Sequence, residues 1–478
     1  MLFTSLEFLF GFLPVTLLVY FLLPTVGRNY WLLLVSLFFY AWGEPKFLIV
    51  MLVSIGFNYL IALRIAELGE DPPKALLRKV MLGVAVAANI GLLFVYKYLN
   101  FVIASINTAA GGPEPVFKQT EFVLPIGISF FTFQALSYVI DVYRGVKVQK
   151  NPAFVGLYIA LFPQLIAGPI VRYTTVEEQI LHREVTADLF AKGIRRFLYG
   201  FNKKMLLANV LAITADAAFA SAELSVGMAW LGCICYTLQI FFDFCGYSEM
   251  AIGLGMMFGF RFLENFNYPY ISKTITEFWR RWHISLGSWF RDYIYFPLGG
   301  SRVKSRWRLV FNLSVVWLAT GIWHGANWTF LLWGALFGVI IIVEKLFGLP
   351  QKLTEHRAAG AVYQIFALLA VMLGWVLFRA ENLTAALTYI KSMFALNGNL
   401  FWDDMFQFHL REYMVILAAG ILCSTPLIRW GKEKLSAFHV RVGQACEVTG
   451  IAVQFALFLV GISYLVMNAH NPFIYFNF

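Results

Sequence analysis

Residues 317–338, WLATGIWHGANWTFLLWGALFG, are long enough to cross a bilayer as one helix and carry a single titratable side chain, His324. An ionisable group at membrane depth is expensive to bury, so it is a functional candidate by default. Gly321 and Gly325 flank it and leave backbone bare where a substrate can approach. The rest of the chain is of the same kind. Of its 478 residues 60% are hydrophobic and only 13% charged, about half the charged fraction of a soluble domain. The expectation is an all-α, polytopic integral membrane protein forming one embedded domain over residues 1–478, since no polar stretch is long enough for a separate soluble domain.

Apolar runs place spans near 8–24, 30–42, 47–63, 80–96, 122–143, 194–220, 226–245, 309–325, 326–345, 361–378, 413–428 and 447–467. The first run lacks a basic residue before it and a small-residue cleavage site after it, so it reads as a retained span rather than a signal peptide. Basic residues test the alternation. With the N-terminus outside, all of the 37 Lys and Arg residues except Lys46, Lys97, Lys118, Arg379, Lys391 and Arg411 fall on the cytosolic side. The 246–308 block then faces the cytosol. This asymmetry accounts for the net charge of +10 without a nucleic-acid partner.

One apolar segment fails the alternation. YIALFPQLIAGPIVRY (158–173) is basic on both flanks and contains Pro163, Gly168 and Pro169. Proline removes a helical hydrogen bond, and irregular backbone at membrane depth survives only where protein or a water-filled cavity encloses it. A re-entrant hairpin is expected there.

The stretch EFWRRWHISLGSWFRDYIYFPLGG (277–300) is too polar to cross and too aromatic for an ordinary loop. Thr274 and Glu277 fit a capping box, which predicts one helix from Ile275 until Pro297 stops it. Phe278, Trp282, Leu286, Trp289, Tyr293 and Phe296 recur at three- and four-residue steps and form one apolar face of an interfacial helix. His283 lies beside that face, where an unpaired polar group is costly. Neither histidine has Cys, Asp or Glu at ligand spacing, which argues against zinc. The five cysteines, Cys233, Cys235, Cys245, Cys423 and Cys446, lie in or beside apolar runs and read as buried thiols. No nucleophile elbow or phosphate-cradling loop is present. A histidine general base is the chemistry left.

ENFNYPYISKTITEFWRRWHISLGSWFRDYIYFPLGG followed by GIWHGANWTFLLWGALFG resembles the signature of the membrane-bound O-acyltransferases. Within them it resembles the bacterial branch that includes the alginate O-acetyltransferase membrane subunit. LPIGISFFTFQALSYVIDVYRG (124–145), LFPQLIAGPIVRY (161–173), the 236–267 block and the ending NPFIYFNF are also similar to that branch. The resemblance implies a helical fold of about 11–12 spans, with a tunnel joining a cytosolic donor entry to an outward funnel. It implies that His324, in Trp-His-Gly, is the essential histidine and that His283 lines the same tunnel. Asn265, Gln239, Trp279, Trp282, Trp323, Asp292 and Tyr293 are the candidates to line the tunnel or bind substrate. Arg280, Arg281 and the run SRVKSRWR (301–308) suit the phosphates of a coenzyme A thioester.

The implied reaction is acetyl transfer from acetyl-CoA, or another acyl thioester, to an extracytoplasmic polysaccharide. No bound cofactor is expected. Transfer is direct or through an SGNH-type partner, at the bacterial inner membrane. D-alanyl transfer to teichoic acid is the neighbouring alternative. A glycan-lipid transporter is the distant one, and it would need more intramembrane charges than Asp243, Glu249 and His324 supply.

Overall fold

The computed structural model describes residues 1–69, 71–112, 114–438, 440–467 and 474, and among them every regular element is a helix. Seven helices are long and apolar enough to cross a membrane: Leu48–Leu68, Pro72–Ala110, Val226–Met257, Trp328–Phe347, Ala358–Arg379, Asp404–Cys423 and Gly443–Val466. Glu7–Leu22 and Ile128–Tyr143 are shorter apolar helices. The remaining expected segments are helical too. Residues 194–220 are interrupted by a π-turn at Lys203–Ala208, 30–42 falls within Thr25–Gly43, and 309–325 matches Arg306–His324 up to the residue after its end. The ending NPFIYFNF lies outside the described residues except for Ile474.

The chain forms two compact units, Met1–Ile194 with Ala251–Leu263, and Arg195–Met250 with Glu264–Phe478. In the first, helices Leu48–Leu68 and Ala75–Leu93 are pinned by a reciprocal amide pair. Asn58 Nδ2 donates to Asn89 Oδ1 at 3.2 Å, and Asn89 Nδ2 donates to Asn58 Oδ1 at 2.8 Å. Small amide pairs of this kind join helices where the hydrophobic effect cannot. Residues 158–173 are broken as expected: helix Pro152–Ala160 stops at Leu161, Phe162–Leu165 makes one turn, and irregular backbone leads to Tyr173–Leu181. Residues 155–171 are all buried, so protein encloses the irregular backbone. Gly168 is required there, because a Cβ would lie 2.5 Å from Gln164 Cα.

The second unit is built around residues 226–250 of helix Val226–Met257, whose apolar stretch is almost wholly enclosed. Helices Arg306–His324 and Trp328–Phe347 form an adjacent hairpin closed by glycines. A Cβ at Gly321 would meet the Phe330 carbonyl oxygen at 2.6 Å, and one at Gly334 would meet that of Trp317 at 2.6 Å. Bare backbone therefore lets the two helices touch, and His324 ends the first of them.

Buried charges are more numerous than the sequence reading allowed. Lys204 pairs with Asp243 at 2.5 Å, both almost fully buried, and the Ile474 N–H donates to Asp243 Oδ2 at 2.9 Å. Glu249 pairs with Arg196 at 2.7 Å and Lys203 at 3.3 Å. These carboxylates are neutralised in place, which is how buried ions become tolerable.

Candidate active site

The Trp-His-Gly turn is shaped by packing. Gly325 is extended, and a Cβ there would lie 2.1 Å from the Phe330 ring. The Asn327 side chain accepts from the Thr329 N–H at 3.0 Å and starts the next helix. His324, 2% exposed, is left among aromatic rings. Trp323, Trp333 and Phe378 lie 5.0, 4.9 and 5.2 Å from it between centroids, all close to edge-on.

The expected start of the 275 helix is present. Thr274 Oγ1 accepts from the Glu277 N–H at 3.1 Å, and Glu277 Oε2 accepts from the Lys273 N–H at 2.9 Å. Glu344, fully buried, adds a cap from outside the segment, accepting from the N–H groups of Ile275 and Thr276 at 2.8 and 2.7 Å. A carboxylate at a helix N-terminus meets orphan donors and the positive end of the dipole. Sequence reasoning missed Glu344, although an acid inside the apolar run 326–345 carries the same signal as His324.

The single helix to residue 296 is not what forms. Ile275–Arg281 ends, His283 takes left-handed φ/ψ of 44° and 55°, and Ile284–Phe290 begins again, followed by a π-turn at Arg291–Tyr295. The cause is a backbone segment upstream. The Ile284 N–H donates to the Asn265 carbonyl at 3.0 Å, and the Asn267 N–H donates to the Arg281 carbonyl at 2.9 Å. These bonds replace the turn of helix that would have crossed the break. A non-glycine residue in this region costs about 1–3 kcal/mol and persists only where its surroundings over-determine it. Phe278, Trp282, Leu286 and Trp289 are buried as expected, but Phe296 is exposed.

The break turns His283 inward. It is 2% exposed, with Phe244 at 4.6 Å and Trp323 at 6.0 Å between ring centroids. Burial pushes its pKa down to about 3, so the ring is neutral near neutral pH. Its Nδ1 lies 3.1 Å from Asn265 Oδ1, which also accepts from Ser285 Oγ at 2.9 Å and the Ser285 N–H at 3.2 Å. Trp323 thus touches both imidazoles and brings the two histidines into one cluster.

The other candidates separate. Asn265 is in the cluster. Gln239 is buried on Val226–Met257, the helix that also supplies Phe244. Trp279 packs on Trp333 at 5.3 Å and Trp317 at 5.1 Å. Trp282 is core, with Trp375 at 4.8 Å and Phe266 at 5.1 Å. Asp292 pairs with its neighbour Arg291, and Tyr293 lies 5.0 Å from Trp289, both half-buried on the π-turn. Arg281 is committed locally, to Glu277 at 2.8 Å and the Asn267 carbonyl at 3.1 Å. Arg280 is exposed, as are Arg302, Lys304 and Arg306. Trp333, Phe378, Phe244 and Ser285 were not legible as site residues, because each is an unremarkable residue in an apolar or aromatic run.

Among the described residues, His283 Nε2, Asn265 Nδ2, Gln239 Oε1, Trp279 Nε1 and Trp333 Nε1 are buried without a hydrogen-bond partner. Native interiors leave few such atoms, and each calls for a water, ion or ligand. Two of these, His283 Nε2 and Asn265 Nδ2, belong to residues in direct contact, beside the Trp323 ring that also packs on His324.

A sequence model of MBOAT, the membrane-bound O-acyltransferase family, matches residues 147–387, which contain both histidines. The chain is 42% identical to a probable alginate O-acetylase of Azotobacter vinelandii across the full length of both proteins. It is 36% identical to a peptidoglycan O-acetyltransferase of Helicobacter pylori, over 83% of this chain and 80% of that one. A teichoic acid D-alanyltransferase of Bacillus subtilis is 29% identical over 54% of this chain and 70% of its own.

Proposed function

The chain belongs to the membrane-bound O-acyltransferase family, and from that premise we propose that it moves an acetyl group from a cytosolic thioester to a polysaccharide outside the cell membrane. The reading rests on the buried, unpartnered His283 Nε2 and Asn265 Nδ2, in contact through Trp323 with His324. His324 is the general base. It takes the proton of an acceptor hydroxyl as that oxygen attacks the thioester carbonyl carbon. The tetrahedral intermediate then collapses, the C–S bond breaks, and the proton passes to the departing thiolate. A base so placed contributes about 10²–10⁴-fold, and the low-polarity aromatic surround strengthens every hydrogen bond to the developing oxyanion.

Acetyl-CoA fits the donor side: Arg280, Arg302, Lys304 and Arg306 are exposed cations next to this unit's aromatic cluster in sequence. The acceptor is a cell-surface glycan, reached directly or through an SGNH-type transferase. The D-alanyl alternative has the weaker support, since its relatives match only about half of the chain. Deleting the gene should abolish O-acetyl groups on the exported polysaccharide and leave teichoic or lipid-linked D-alanyl esters unchanged, both measured by ester release. Unchanged acetylation overturns the proposal.

The same reading places the N-terminus outside and residues 246–308 toward the cytosol of a bacterial inner membrane. Ser305→Cys, in a background with the five native cysteines replaced, should react only with thiol reagents admitted to the cytosol. Labelling by an impermeant reagent in intact cells reverses the topology.

A further inference from the structure

The geometry points to Asn265 and Ser285 as positioning residues that hold His283 in its Nδ1–H form, leaving Nε2 as a bare acceptor for a substrate O–H or N–H. Ser285 settles which way the Asn265 amide faces. The Ser285 backbone N–H can only donate, and it lies 3.2 Å from the Asn265 atom that also receives Ser285 Oγ at 2.9 Å. That atom is therefore the amide oxygen, because the –NH₂ end would set donor against donor. His283 Nδ1, 3.1 Å from the same oxygen, must then carry the proton. Were it bare, its lone pair would face the oxygen's, and the Ser285 hydroxyl, 3.4 Å away, gives its one proton to the nearer Asn265 oxygen. A neutral imidazole carries one N–H, so Nε2 has the lone pair.

The two atoms left over are complementary. His283 Nε2 accepts and Asn265 Nδ2 donates; both are buried, without a partner among the described residues, and they flank one hydrogen bond. His283 therefore does not donate to an oxyanion from Nε2, whereas Asn265 Nδ2 can donate to a carbonyl. The left-handed backbone at His283 follows from the same clamp, since Asn265 also accepts from the Ile284 N–H through its own carbonyl. This assignment rests on the acyl-transfer reading only for what the substrate is.

The test uses the full-length protein, labelled with ¹⁵N-histidine and purified in detergent, with His283→Gln to assign the signal. The wild-type His283 ring should show a protonated Nδ1 and an unprotonated Nε2. Asn265→Asp keeps the acceptor but lacks the Nδ2 donor, so it should keep the Nδ1 proton while transfer falls about as far as in Asn265→Leu. Asn265→Leu should release the tautomer and lower transfer about a hundredfold, as loss of one oriented donor does. A wild-type ring protonated at Nε2 overturns the assignment and leaves acetyl transfer standing. If Asn265→Leu does not fold, the wild-type spectrum and the Asn265→Asp variant still decide it.

Discussion

Replacing His324 with alanine should reduce acetylation of the exported polysaccharide to background while the protein remains folded, inserted and able to bind its thioester donor. The side chain ends helix Arg306–His324 and is gripped by rings rather than by the backbone hinge, which Gly321, Gly325 and the Asn327 cap supply without it. Its loss leaves a small void among Trp323, Trp333 and Phe378, a modest cost in a unit with so many other aromatic contacts. The kinetic cost is of another order, about 10²–10⁴-fold for a general base. Expected, then, is a near-normal detergent melting curve, acetyl-CoA binding within a few fold of wild type, and no transferred acetate. A well-folded His324→Ala protein that transfers at near the normal rate would sink the mechanism.

The second large effect should come from Trp282 and bear on folding, with chemistry lost only as a consequence. Trp282 is 1% exposed; its ring stacks on Phe278 at 5.6 Å and 18° and packs on Trp375, Phe266 and Tyr270. Truncating a buried aromatic to alanine costs about 3–5 kcal/mol, enough to consume much of a typical domain's stability. Arg280, two positions earlier, is exposed and makes no ion pair or hydrogen bond among the described residues. Arg280→Ala should therefore keep its folded yield and, if the proposed donor role holds, raise the KM for acetyl-CoA. Trp282→Ala should lose most of the folded material in size-exclusion chromatography. Equal yields for the two variants would remove packing as the reason the segment is aromatic.

Much of the neighbourhood was legible. Proline and glycine marked the break in 158–173, and Thr274 marked a helix start, because each acts on backbone within a few residues of itself. The spacing of Phe278, Trp282, Leu286 and Trp289 anticipated the buried face, since helical periodicity survives a short interruption. The split at His283 was not legible. It is made by hydrogen bonds to Asn265 and Asn267, whose backbone partners no local pattern announces. Lys204 shows the same limit. Beside Lys203 in sequence it counts as one more basic residue, whereas in the fold it is a buried partner of Asp243.

Sequence alone determined that this is a helical membrane protein, which histidines deserve suspicion and what family they resemble. Those properties follow from composition, period and residue type, which are fixed before the chain folds. Tertiary structure decided how His283 faces inward, which candidates touch it, and which arginine is spoken for. A hydrogen bond or a ring contact needs atoms within a few ångströms, and for Glu344 and Ile275, or Lys204 and Asp243, only packing supplies that proximity.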